Sequence, residues 1–418
     1  MVTSTHQDDR QILRELARRV RDIAADPDMD RRRELWTRHN DLEPTRPMVL
    51  CFPEGCWPQL VSDVHCRCHD PQLRQWELQL RSTLFTHEQL CDDQVAQPWF
   101  DLPWRLQVGG YGVDVPYTFG ENRGSYVWDA PINDLARDFD KLHFRQLYVD
   151  REGTQRDLQR ANDLFGDLLP ARLHWRPWWT VGMTWEAAKI IGLEGLMLAM
   201  MDQPQEVHRL MSFLRDDHLH FLDWFEQQGL LTSNNTYECL GSGGVGYTSQ
   251  LPGDDVSDGP ARLDELWGFA ESQETVGISP QMFDEFVLPY QLPLMEKFGL
   301  NYYGCCEELE QRIDLVLKHV PHLRRVSVSP KADQRALAEK LGGRYVYCRK
   351  ADPVPVCVEF DEDLIRADIR HTLEAAGGSP LDIILKDTHT VQNEPSRLGR
   401  WVRIAREEVD RYMEGPRS

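Results

Sequence analysis

"LNYYGCCEELEQRIDLVLKHVPHLRRVSVSPKADQRALAEKLGGRYVYCRK", residues 300–350, decides the fold. Three short apolar runs, "LNYYGCC", "LRRVSVSP" and "RYVYCRK", read as strands. They alternate with two stretches of helical spacing, "EELEQRIDLVLKHV" and "KADQRALAEKLG". Strand–helix alternation with short loops argues for parallel strands joined by crossover helices.

The same rhythm continues on both sides. Toward the C-terminus come a helix "DEDLIRADIRHTLEAAGG", a strand "LDIILKD" and a closing helix "SRLGRWVRIAREEVDRYM". Upstream, "DELWGFAESQE" (264–274) carries a strand and "SPQMFDEFVLPYQLPLMEKFG" (279–299) a helix. "TSNNTYECLGSG" (232–243) reads as a further strand, Thr184 to Gly229 as a helical block broken near Gln203-Pro204, and "LHWRPWWTVG" as extended. "RPMVLCF" (46–52) is the first good strand. Before it, Ile12, Leu13, Leu16, Ala17, Val20 and Ile23 recur at helical spacing.

Eight strands are within reach, so the expected fold is an α/β (β/α)8 TIM barrel with an elaborated N-terminal region, ahead of an open doubly wound sheet. Residues 1–45 form a helical extension and 46–418 a single barrel domain, with 53–160 elaborating over it. A dinucleotide fold is disfavoured, because "GSGGVG" (241–246) is followed by an irregular stretch and not by a helix.

The 418 residues carry 47 basic and 68 acidic side chains, a net charge of −21. Such a surface repels phosphate backbones, which excludes nucleic acid as a partner. No apolar run reaches bilayer length, so no membrane partner is expected. No signal peptide leads the chain, so a cytoplasmic protein with mostly reduced thiols among its ten cysteines is expected.

In a barrel, chemistry sits at the C-terminal strand ends. Those ends offer Glu238 and Cys239; Glu271, Ser272, Gln273 and Glu274; Cys305, Cys306 and Glu307; Lys331; Cys348; and Lys386, Asp387 and His389. Adjacent thiols can bind a soft or borderline metal, act as a nucleophile, form a vicinal disulfide, or simply pack as small hydrophobes. Neighbouring strand residues face opposite ways, so Cys305 and Cys306 share one metal only if Gly304 turns the chain. "VHCRCHD" (64–70) reads instead as a surface segment without metal, alternation placing His65 and Arg67 on one side and Cys66 and Cys68 on the other. "HWRPWWTVGMTWE" (174–186) is either aromatic core or a pocket wall. In the second case Trp178 and Trp179 line the substrate, with Arg176, Glu238 and Gln273 as polar contacts.

Several of these stretches resemble the uroporphyrinogen decarboxylase superfamily, which also holds zinc-dependent cobalamin methyltransferases. "SPQMFDEFVLPYQLPLMEKFG", preceded by Gly277-Ile278, is similar to the family's I-S-P-x-x-F-x-E-F-x-x-P-Y segment. "NYYGCCE" falls at its strand-end His-x-Cys-Gly, and the resemblance spans roughly residues 165–412. It implies a TIM barrel. The first-strand region "RPMVLCFPEGCWPQL" carries one basic residue, not the Arg-rich grip of a porphyrinogen decarboxylase. The methyltransferase branch is therefore the nearer resemblance. It implies zinc at Cys305; Cys306, His389 and Glu271 or Glu307 are chemically possible further ligands outside the family's motif. Tyr303 stands where the family has histidine, and the last strand offers Asp387 and His389 where the family has cysteine.

The leading expectation is thus methyl transfer from a small methylated substrate to a corrinoid, free or on a partner protein, or to a thiol. Zinc assists, and Glu271, Glu307, Asp387 and His389 serve as acid–base groups. The rivals are a metal-independent decarboxylase or lyase using a carboxylate/His site, and a non-catalytic corrinoid or tetrapyrrole binder. The resemblance and the irregular N-terminal third also point to a homodimer.

Overall fold

A computed structural model describes residues 2–120, 126–174, 178–253 and 259–415. The chain forms two compact units. The first comprises Met1–Trp104, Asp150–Trp175 and Lys350–Ser418; the second comprises Arg105–Val149 and Arg176–Arg349. Among the described residues no helix is long and apolar enough to cross a membrane.

In the first unit the N-terminal stripe forms one helix, Val2–Ala24. Leu13, Leu16, Ala17 and Val20 are buried against Trp76, Leu80 and Leu84 of the Pro71–Phe85 helix and Ala161 and Phe165 of the Arg151–Phe165 helix. Asp26 and Asp70 cap the second and third long helices by accepting backbone N–H groups, each followed by proline at the first helical position. Cys66 and Cys68 turn inward while His65 and Arg67 stay exposed, as alternation predicts.

The Met48–Cys51 strand pairs in parallel with Leu381–Leu385, Met48 opposite Asp382. Its other edge meets carboxylates. Val49 N–H donates to Asp93 Oδ2 (2.8 Å) and Cys51 N–H to Asp92 Oδ2 (2.9 Å). Two buried side chains thus satisfy N–H groups that a further strand would otherwise take.

The second unit carries four parallel strands, Trp267–Ala270, Leu300–Tyr303, Leu323–Val328 and Val346–Lys350, each paired with the next. The first, second and fourth are buried at every position, as expected for strands covered on both faces. The first unit contributes one parallel pair and the second a run of four, and no closed ring of strands is formed within either unit among the described residues. The eight strand–helix repeats expected from sequence are therefore reached only in part.

Two departures have visible causes. Residues 232–243 form no strand and hold only an isolated bridge from Cys239 to Val245. Their amides compete with the ladder. Asn235 Nδ2 donates to the carbonyls of Thr248, Leu251 and Pro252. Asn234 accepts from Trp267 N–H at 2.8 Å and donates to Trp267 O at 2.9 Å. The expected single helix at 279–299 is two, Pro280–Phe286 and Leu288–Met295, broken at Val287 just before Pro289.

Candidate active site

Glu271 directly follows the Trp267–Ala270 strand, and Gly304, Cys305, Cys306 and Glu307 follow Leu300–Tyr303. Because these strands are neighbours, their ends meet. Gly304 takes φ +94°, and its N–H donates to Ala270 O (2.9 Å). A Cβ there would lie 2.6 Å from Leu309 Cδ1. Gly304→Ala should therefore lower unfolding stability by about 1–3 kcal/mol, read from denaturant midpoints. An unchanged midpoint would show that the turn relaxes freely.

The turn lets Glu307 fold back over the strand ends. Its Oε1 accepts Ser272 N–H (2.9 Å) and its Oε2 accepts Cys305 N–H (2.8 Å). Glu271 is fully buried. Its Oε2 accepts Gln273 N–H (3.0 Å), whereas Oε1 is buried with no hydrogen-bond partner among the described residues. Gly182 makes the room, since a Cβ there would lie 2.8 Å from that oxygen. Gln291 holds the strand end by donating to the carbonyls of Gly182 (2.7 Å) and Glu271 (2.8 Å), and Tyr303 O–H donates to Gln291 Oε1 (2.8 Å). Thr184 O–H donates to Glu274 Oε2 (2.7 Å).

Burial pushes the Glu271 carboxyl well above the ordinary carboxylate range, and the charges of Glu274 and Glu307 push it further. Burial also raises Glu307, but the Ser272 and Cys305 N–H groups favour its ionised form. The Glu307 charge disfavours ionisation of Glu271, and the N–H groups at Glu307 leave Glu271 the more strongly raised of the two.

Cys305 is buried and Cys306 exposed. Their sulfurs are 3.5 Å apart, a hydrogen-bonding distance and not a disulfide, and Ser242 O–H donates to Cys305 Sγ (3.4 Å). As a zinc donor set this unit offers two thiols and Glu271 Oε1, because both Glu307 oxygens already hold backbone N–H groups. Among the described residues no group of three or more His, Cys, Asp or Glu is arranged to hold a metal ion.

A cavity of about 730 Å³ opens onto this cluster. Gln273, Glu274, Cys306, Glu307, Glu308 and Lys331 form its polar side, and Tyr126, Trp128 and Trp185 its aromatic side. Of the sequence candidates, Glu271, Gln273, Cys305, Cys306 and Glu307 therefore gather in the second unit. Trp178 instead packs edge-on against Phe221 and Phe225, and Trp179 donates to Gly241 O (3.0 Å) beside Phe269. Neither is among the residues lining this cavity. Glu238 is half-buried in the irregular 232–243 segment, and Arg176 lies outside the described residues. Asp387 and His389 belong to the first unit. There Asp387 N–H donates to Glu54 Oε2 (2.6 Å), and His389 packs over Gly55. Tyr126, Trp128 and Glu308 escape the sequence reading: the first two sit on a three-residue exposed strand with no apolar alternation.

No protein-family model and no curated protein matches this chain. A solved structure of a methyltransferase from Methanosarcina mazei is similar over 91% of this chain and 98% of that one, at 13% identity and a TM-score of 0.49. A likeness of that size carries no functional argument, and the reading below rests on the site itself.

Proposed function

We propose that the chain is an enzyme that transfers a methyl group from a small methylated substrate to a corrinoid or thiol acceptor. One observation carries this reading: Glu307 lines the cavity, and its charge helps raise Glu271, a fully buried carboxyl with one oxygen that has no hydrogen-bond partner among the described residues. Moving a methyl group off a neutral heteroatom requires electrophilic help, because the C–X electrons leave on X. A buried carboxyl at the cavity wall with a raised proton affinity, as at Glu307, supplies that help. The acceptor's electron pair forms the new bond to the methyl carbon, the C–X bond breaks, and the Glu307 proton settles on X. Glu307, which lines the cavity, is the catalytic residue and carries the proton to X; Glu271, which does not line the cavity, is a positioning residue whose protonation state biases that of Glu307.

A zinc-assisted form of the reaction draws on Cys305 and Cys306 as donors; bound zinc would lower the pKa of a thiol or polarise the heteroatom. It predicts about one equivalent of zinc in protein purified without chelator, lost in Cys305→Ala. Zinc below about a tenth of an equivalent leaves activation to the carboxylates alone. The fold proposed with this function is the (β/α)8 barrel, supported by the parallel strands within each unit.

The direct test incubates the protein with N-, O- and S-methyl donors and either reduced cobalamin or a thiol, following methyl–cobalt absorbance or methyl thioether. Product from any donor class supports the proposal. Release of CO2 or an alkene from a donor that yields no methyl product would move the assignment to the metal-independent lyase reading, which the same carboxyl pair favours.

A further inference from the structure

The residues lining the cavity specify more than a methyl group. We propose that it takes its methyl donor as a methylated ammonium ion; as a choice of donor this rests on the methyl-transfer reading, but as a binding site it stands on the cavity alone.

The aromatic side is a three-ring corner. Trp128 and Trp185 meet edge-on, with centroids 5.1 Å apart and planes at 77°. Tyr126 stands 6.2 Å from Trp128 and 6.3 Å from Trp185. Trp128 is fixed by its Nε1–H donating to Ala188 O at 3.2 Å. An indole face is the best side-chain surface for a cation, because its quadrupole places negative charge above the ring. Trp185 already acts this way on one side, with Lys189 Nζ 4.8 Å from its ring centroid.

The polar side carries the matching sign. Glu274, Glu307 and Glu308 line the cavity, against Lys331 as its one lining ammonium among the described residues. A neutral ether or thioether would need only the rings, and an anion would face three carboxylates. A methylated ammonium satisfies both sides. Its methyl groups spread the charge over a surface that rings can cover, and an N–H, where present, can meet Glu307. The volume is within the range of small-ligand pockets. As a donor, such an ion loses its methyl carbon to the acceptor's electron pair while the C–N electrons leave on a neutral amine. The acceptor is a corrinoid or thiolate, as above.

The test compares choline with its neutral isostere 3,3-dimethylbutan-1-ol on the full-length protein, by calorimetry and tryptophan fluorescence. Choline should bind about tenfold more tightly, and Trp185→Leu should remove most of that preference while leaving the weaker binding of the alcohol. Retained alcohol binding reports that the variant's cavity is intact. Should Trp185→Leu bind neither, Glu308→Gln serves instead and should narrow the preference. Equal or tighter binding of the alcohol by the unaltered protein overturns the ammonium assignment, and methyl transfer from an ether or thioether would then leave the broader reading standing. A clear choline preference without methyl product from any donor keeps the ammonium site and removes methyl transfer.

Discussion

Replacing Glu307 by glutamine should lower kcat/KM for methyl transfer from a neutral donor by about 10²–10⁴-fold, the span of a lost general acid or base. The amide keeps the size of the carboxyl but cannot exchange a proton. It also cannot accept both the Ser272 and the Cys305 N–H groups, so one of these donors loses its partner. Glu271→Gln should behave differently. It leaves a neutral group where a neutral group already stands, and it moves the pH profile more than the rate at the optimum. The carboxyl's raised pKa fixes the direction. A carboxyl with a folded pKa above its unfolded value stabilises the fold at low pH, and that contribution is lost as pH rises through the folded pKa. Glu271→Gln should therefore gain thermal stability relative to the unaltered protein as pH rises from about 4.3 upward, together with a shifted alkaline limit of activity. Loss of rate equal to that of Glu307→Gln, with no change in profile, would place Glu271 on the substrate instead.

Asp93→Ala should cost about 3 kcal/mol of unfolding free energy, at the low end for breaking a buried ion pair because its arginine partners are partly hydrated. The Asp93 side chain is fully buried. Arg46 grips it with two hydrogen bonds (2.7 and 2.8 Å), Arg406 donates at 2.8 Å, and Val49 N–H completes the set. Burial alone would raise its pKa, but Arg46 above all, with Arg406 and the Val49 N–H, holds it below the usual range. A depressed carboxyl stabilises the fold above its unfolded pKa, and that contribution is lost as pH falls through the folded value. The deficit of Asp93→Ala should therefore be full at pH 7 and shrink below about pH 4. Denaturant melts at pH 7 and pH 3.5 read both numbers. A deficit of the same size at both would mean that packing, not charge, sets the cost.

Much of this was legible because periodicity reports burial. The stripe from Leu13 to Val20, the inward Cys66 and Cys68, and the buried strands of residues 300–350 follow from spacing alone. The meeting of Glu271 with Cys305 and Glu307 was legible for a related reason, since parallel neighbours bring their C-terminal ends together. What stayed hidden depends on side chains that do backbone work. Asn234 and Asn235 make residues 232–243 irregular by taking carbonyls and N–H groups for their own amides. The aromatic rim was hidden because Tyr126 and Trp128 lie on a short exposed strand, where no apolar period marks them. The tryptophan cluster was read as a wall through Trp178 and Trp179, but the neighbouring Phe221 and Phe269 draw those two into packing and leave Trp185 to face the cavity.

Asn234 has a consequence beyond its own loop. An open strand border is a template on which a foreign chain can grow, and proteins must blunt it. Here a single carboxamide, donating and accepting at Trp267, imitates the rung that an invading strand would supply. Along that border the carboxamide shares the guard with Val181 N–H, which donates to Phe269 O (2.9 Å), and both occupy rungs without offering new ones.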